Sequence, residues 1–282
     1  MGFNREIAKF KDKLISCFDT SSFTNPENPS IALNLITKNN EKTIKVALDS
    51  CHDVLDKIIV VDTGSTDSTK DIVRSYSNAV LIEESNFKGY SYHRNQAIAA
   101  TDTDWIVVFD SDEYISKYLR ESIRELIQTK YYGLFRCYTR WINKVYEKEY
   151  DPSELFCSSR CEATYIAPTN KYPGRYNLRN RIFRNLPGIE FRGEIHESIF
   201  GLEQMRTKNL ARDYAFYHLD VAVNSLEERL EKTLRRNEIK PGTAYPEEYL
   251  PELFDFQYLE VPDEDLKVLG QLQLAESLSV NS

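Results

Sequence analysis

Two acidic stretches carry residue types whose spacing can do chemistry. The first is Val60-Val61-Asp62-Thr63-Gly64-Ser65-Thr66-Asp67-Ser68-Thr69, an apolar run that ends in an acid and passes into small residues. A carboxylate at the carboxyl end of a buried strand can accept a hydrogen bond from a base N–H or a ribose hydroxyl, whereas Ser65, Thr66 and Asp67 suit the capping of a following helix. The second is Trp105-Ile106-Val107-Val108-Phe109-Asp110-Ser111-Asp112-Glu113, an apolar run emptying into three carboxylates. In extended chain, positions i and i+2 point to one side, so Asp110 and Asp112 can converge on one cation, or on a cation and a ribose. Hard oxygen ligands suit Mg2+ or Mn2+, ions usually held by one or two carboxylates together with phosphates. A solvated turn is the competing reading, and placement at the end of an apolar strand argues against it.

The elements that must position these acids follow from periodicity. Ile31 to Ile36 reads as a strand and Asn40 to Cys51 as a helix; Ile58 to Val61 is a strand and Asp67 to Tyr76 a helix. Val80 to Ile82 is a third strand, Ser91 can cap a helix over Tyr92 to Ala100, and Trp105 to Phe109 is the fourth strand. Four strands with three intervening helices predict an α/β fold with a doubly wound, mainly parallel sheet and helices on both faces. Farther along, Ser116 can cap a helix with Leu119, Ile123, Leu126 and Ile127 inward, and Gly133 to Arg140 reads as a strand. Residues 141 to 178 read as a long irregular loop or lid. Arg181 to Arg184, Glu190 to Ile195 and Tyr214 to His218 are further strands, and Ser225 caps a charged helix through Leu226, Leu230 and Leu234. The expected organisation is an N-terminal helix and linker over 1–29, a main domain over 30–240, and an acidic, helical C-terminal tail over 241–282.

Composition narrows the class. With 282 residues, 41% hydrophobic and 28% charged, the chain has length for a real core and is neither disordered nor fibrous. Its longest apolar run is the five residues from Trp105 to Phe109, far short of the ~20 a membrane helix needs. The start lacks the apolar stretch of a secretory signal, so the expected location is the cytoplasm; peripheral membrane association and a homodimer stay open. The net charge is −8, without a block of Lys and Arg, which argues against a nucleic-acid partner. Five Cys make an odd set, and Cys157 with Cys161 alone is weak evidence for zinc against free thiols in a reducing compartment.

The ordered set Ile36-Thr37-Lys38-Asn39, Val61 to Asp67, Tyr92-His93-Arg94-Asn95 and Trp105 to Glu113 resembles the nucleotide-sugar half of a family 2 glycosyltransferase with the GT-A fold. The later run Arg181 to Arg184 with Phe191-Arg192-Gly193-Glu194-Ile195-His196-Glu197 is similar to the branch with lipopolysaccharide-core glucosyltransferases and bacteriocin peptide glycosyltransferases. This resemblance implies that Asp62 contacts uracil, Asp110 the ribose or metal, and Asp112 the metal, while Thr37, Asn39, Arg94 and Ser111 belong to the nucleotide-sugar pocket. Lys38 stands where a tyrosine is more usual and Thr63 where a second acid is more usual, which leaves base and sugar preference open. An inverting displacement is implied, with Mn2+ or Mg2+ stabilising the leaving nucleoside diphosphate.

By the same likeness Glu197 is the candidate base; a structural ion pair with Arg181, Arg184 or Arg192 is the alternative. His218 would complete the metal site, with His196 as rival. Arg179, Arg181, Arg184, Arg235 and Arg236 could clamp a diphosphate, although a charge run on a helix is usually a solvated face. The expected partners are a UDP-sugar, with glucose or a related hexose, and a glycan, lipid-linked sugar or peptide side-chain acceptor. Two rival readings remain: a sugar-phosphate nucleotidyltransferase, against which the lack of glycine in Ile31 to Asn40 speaks, and an inactive carbohydrate-binding or scaffold protein, against which the four acids together speak.

Overall fold

The aliphatic runs at 31–37, 57–62 and 105–108 become strands covered on both faces, which favours continuous apolar sequence over alternation, whereas the run at 79–83 forms a half-exposed edge. In the computed structural model, described here for residues 26–144, 162–165, 178–195, 197–203, 205–241 and 258–260, β1 (Ile31–Thr37), α1 (Ile44–Asp49), β2 (Lys57–Asp62), α2 (Thr69–Arg74), β3 (Ala79–Glu83), α3 (Tyr90–Ala99) and β4 (Trp105–Val108) alternate in chain order. The four strands pair parallel in the order β3-β2-β1-β4. Ile31, Leu33, Leu35, Ile58, Val60, Trp105 and Val107 face a core shared with α1 and α2. On the opposite face Ala97 of α3 packs against Ile59 and Val61. The doubly wound half with helices on both faces therefore stands as the periodicity predicts.

After β4 come β5 (Glu113–Ile115), α4 (Lys117–Leu126), β6 (Leu134–Lys144), β7 (Glu162–Tyr165), β8 (Leu178–Arg184), β9 (Glu190–Arg192), β10 (Ser198–Phe200), β11 (Thr207–Asn209), β12 (Ala215–His218), α5 (Asp220–Val223), α6 (Leu226–Ile239) and β13 (Tyr258–Glu260). The sheet continues past β4 through antiparallel pairings of β8, β6, β7 and β13, so as a whole it is mixed. α4 buries Leu119, Ile123 and Ile127 in the first core, and the Ser116 side chain accepts from the Leu119 amide at 3.2 Å, the expected cap. β12 lies between β5 and β6, and β9 pairs with β10 as a separate ribbon.

Several expectations change. Residues 141–144 continue β6 and 162–165 form β7, so these parts of the expected loop are sheet. The α3 cap is Gly89 rather than Ser91, whose hydroxyl instead donates to the Gly193 carbonyl. Within the C-terminal tail, residues 258–260 are strand rather than helix. The expected N-terminal helix and the Cys157/Cys161 pair lie outside the described residues. α6 starts at the expected cap, Ser225, which forms a capping box with Glu228, and the helix turns Arg229 and Thr233 inward. These two are buried, whereas Leu226, Leu230 and Leu234 are 45–56% exposed. No helix among the described residues is long and apolar enough to cross a membrane.

Candidate active-site cleft

A cleft of about 880 Å³ opens at the carboxyl ends of the parallel strands, where β1 has β2 on one side and β4 on the other. Such a switch point leaves a crevice because the connections leave in opposite directions. Thr37, level with Asp62 in the β1–β2 register, lines it; its buried hydroxyl has no partner among the described residues and can serve a ligand. Ser111 also lines it.

Asp62 is 1% exposed. One of its oxygens accepts from the amides of Gly64 (3.0 Å) and Ser65 (2.8 Å), and the other accepts from the Ser65 hydroxyl. Gly64 has φ +98°, which an L side chain adopts only with strain. The acid thus shapes the turn after Thr63, with three of a carboxylate's roughly four acceptor positions taken, and it does not itself line the cleft, whereas its neighbour Thr63 does. Asn39 is likewise engaged: its side-chain Oδ1 accepts from the Thr66 backbone N–H at 2.8 Å while its backbone N–H donates to the Ser65 hydroxyl at 2.8 Å, which ties the first loop to the second.

The D-x-D segment leaves β4 into the cleft. Asp110 and Asp112 are joined there by His218, and one ligand atom from each lies within 4.8 Å of the others. His218 comes from 106 residues downstream of Asp112 by virtue of sheet pairing: β12 runs antiparallel to β5 with His218 opposite Glu113, and the Leu219 amide donates to the Asp112 carbonyl at 2.7 Å. The ring points Nε2 at Asp112 Oδ1, 3.6 Å away, and Nδ1 at the Asp220 amide, 3.3 Å away. Two carboxylates and an imidazole are a donor set that fits a divalent cation, and the nitrogen ligand suits Mn2+ better than Mg2+. His196, the rival ligand, lies outside the described residues.

Arg94 of α3 spans two acids: Nη2 donates to Asp110 Oδ1 at 2.7 Å and Nε donates to Glu197 Oε1. Its neighbour Asn95 places it by clamping the Phe191 backbone, accepting at 2.7 Å and donating at 3.0 Å. Partial desolvation in the cleft works against ionisation of the half-exposed Asp110, but the guanidinium charges of Arg94 and Arg181 outweigh it and hold the carboxyl well below its usual range. Burial also disfavours the Arg94 charge, and the Glu197 and Asp110 carboxylates overcome it and raise the group above its ordinary value. Glu197 lines the cleft with its side chain 10% exposed; its ion pair is with Arg94, and none with Arg181, Arg184 or Arg192 is found among the described residues. Its Oε2 has no partner among them.

Arg181 is buried beneath the D-x-D segment, donating to Glu113 Oε1 at 2.6 Å and to the Thr139 hydroxyl at 2.8 Å. Burial pushes the Glu113 carboxyl up, with the Arg181 charge opposing it. Of the other arginines considered for a diphosphate, Arg179, Arg235 and Arg236 line the cleft, whereas Arg184 points to the Thr129 carbonyl at 2.6 Å. Sequence reasoning missed Lys232 and Asp220. Lys232 Nζ donates to Asp112 Oδ2 at 2.9 Å and to the buried Asp220 at 2.6 Å. A signal existed in the helical spacing of Arg229, Lys232, Thr233 and Arg236, a polar stripe beside that of the leucines.

Curated relatives include the SPbeta prophage-derived glycosyltransferase SunS of Bacillus subtilis, 26% identical over 219 residues, covering 77% of this chain and 45% of that protein. An uncharacterized glycosyltransferase of Rickettsia bellii is 28% identical over 155 residues, covering 55% of this chain and 48% of its own length. The chain thus spans about half the length of these relatives. Similar solved structures include residues 1–349 of S. aureus TarS, 19% identical with a TM-score of 0.46 over 79% of this chain and 70% of that one. Another is the glucosyl-3-phosphoglycerate synthase of Mycobacterium tuberculosis with Mn2+, UDP and glucosyl-3-phosphoglycerate, 24% identical with a TM-score of 0.33 over 40% and 44%. Residues 34–189 match the description "Glycosyl transferase family 2", more than half of the sequence, and the chain belongs to that family.

Proposed function

We propose that the protein is an inverting, metal-dependent glycosyltransferase that moves a hexose, glucose or a close relative, from a UDP-sugar to a glycan or peptide side chain. The observation that carries this reading is the meeting of Asp110, Asp112 and His218 with the Arg94–Glu197 pair in one cleft at the strand ends. In this reading Asp62 gives its remaining acceptor position to the uracil N–H, and Thr37 and Ser111 line the nucleoside pocket. Asp110, Asp112 and His218 would hold the cation, which supplies positive charge to the leaving diphosphate. Glu197 takes the acceptor proton through Oε2 as the acceptor atom attacks the anomeric carbon. The bond from that carbon to the diphosphate breaks, and its electron pair leaves with UDP. Arg94 orients Glu197 by holding Oε1.

Calorimetry of UDP binding with Mn2+ and with chelator tests the donor half of this reading. Binding should tighten markedly with the metal, and equal affinity in both would overturn it. Glu197→Gln tests the other half: loss of a general base lowers rate by roughly 10²- to 10⁴-fold, while UDP affinity stays near wild type because the amide oxygen still accepts from Arg94. A normal transfer rate would place the base elsewhere. If the acceptor is a thiol, with an ordinary pKa of about 8.5, the defect should shrink as pH rises through that value; a constant defect indicates a hydroxyl.

A further inference from the structure

Both carboxylates of the D-x-D pair already carry a cation of the chain itself. Arg94 holds Asp110, and Lys232 holds Asp112 through Oδ2, the oxygen turned away from His218. Lys232 is anchored from behind: Asp220, fully buried, accepts from its Nζ at 2.6 Å and from Asn224 Nδ2 at 2.8 Å. The helix that carries Lys232 is fastened at its start by the capping box and by Lys42 of the first loop, whose Nζ donates to Glu228 at 2.8 Å. Arg235 and Arg236 of the same helix line the cleft beside it. An ammonium group at this place opposes a divalent cation, since it neutralises one ligand and repels the incoming charge. It also favours a diphosphate, and its four-carbon stem lets the charge move from Asp112 to a phosphate oxygen.

We propose that Lys232 is a placeholder cation, which neutralises Asp112 while the cleft is empty and passes to the nucleoside diphosphate when a divalent cation takes Asp112. The inference rests on the metal-dependent reading above. Its consequence is energetic coupling: metal alone binds weakly, nucleotide alone binds weakly, and each strengthens the other by the same factor. A residue that only oriented Asp112 would act differently. Its loss would weaken metal binding whether or not nucleotide is present, by the 10- to 100-fold typical of groups that support a ligand.

The test is Mn2+ binding to the full chain, measured by electron paramagnetic resonance and calorimetry with and without UDP. The wild type is compared with Lys232→Met and with the double variant Lys232→Met, Asp220→Asn, which avoids stranding the buried Asp220 charge. Circular dichroism verifies that each is folded. Mn2+ alone should bind about tenfold tighter or more to Lys232→Met, the direction expected on removing one positive charge beside the ligands, and more tightly than to wild type, by a smaller factor, to the double variant, which loses the Asp220 charge as well. The enhancement by UDP should fall by about tenfold or more. Unchanged affinities, or equal weakening with and without UDP, would overturn the placeholder role. A wild type in which UDP does not enhance Mn2+ binding would overturn the metal-dependent reading as well, whereas wild-type enhancement retained in the variants would remove only the role of Lys232.

Discussion

Replacing Arg94 by methionine removes one cation from two acids in unequal surroundings. The Arg94 side chain is 13% exposed, Glu197 10% and Asp110 45%. Removing one partner of a fully buried ion pair costs about 3–5 kcal/mol, because the remaining charge is stranded. Asp110 can turn to water, so its share is small, and the stranded group is Glu197. Methionine keeps part of the packing against Phe191, over whose ring the guanidinium lies at 5.5 Å. The expected loss is therefore about 2–3 kcal/mol, or roughly 4–12 °C in melting temperature for a domain of this size. Adding Glu197→Gln removes the stranded charge and should restore about 1–2 kcal/mol, a coupling of the size seen for groups in contact. Thermal unfolding followed by circular dichroism, on the two single variants and the double, measures both quantities. A single Arg94→Met variant as stable as wild type, or a double variant less stable than that single one, would refute the argument that Arg94 compensates a buried Glu197.

Two further outcomes follow from burial. Burial pushes the Cys51 and Cys137 thiols up to about 12, from an unfolded value of 9.0. The native state thus holds protons that the unfolded state releases, so stability is full below about pH 9 and falls as pH rises from there toward 12. Peptide mapping after iodoacetamide at pH 8 should find both cysteines unmodified until the protein is unfolded, and rapid native alkylation would contradict their burial. On α6, Leu230→Ser should change stability by less than about 0.5 kcal/mol in urea titration, whereas Leu119→Ala on α4 should cost about 2–5 kcal/mol. A Leu230 cost in the range of Leu119 would mean that the leucine stripe is covered.

The parallel half of the sheet is legible in the amino-acid sequence because that information is local: four apolar runs mark its strands, three of them buried, and the residues after them mark the cleft. The apolar strand end marks Asp110 and Asp112 in the sequence, but a turn over 110–113, closed by the Glu113 amide donating to the Asp110 carbonyl at 2.9 Å, brings them together rather than the alternation of an extended chain. The caps at Ser116 and Ser225 are local as well, each a side-chain oxygen meeting an amide three residues on. What surrounds the acids depends on contacts between elements far apart in the chain. His218 had His196 as a rival in the sequence, and the β5–β12 register puts it beside Asp112. The pairing of Glu197 with Arg94, across 103 residues, depends on how β9 docks against α3, where Asn95 holds the Phe191 backbone. α6 shows the limit most clearly. Its sequence carries a leucine stripe and a polar stripe at the same helical spacing, and hydrophobicity alone would bury the leucines. The helix buries the polar stripe because Asp112 and Asp220 wait there as unneutralised acids, and removing charged groups from water without a partner costs more than leaving three leucines exposed.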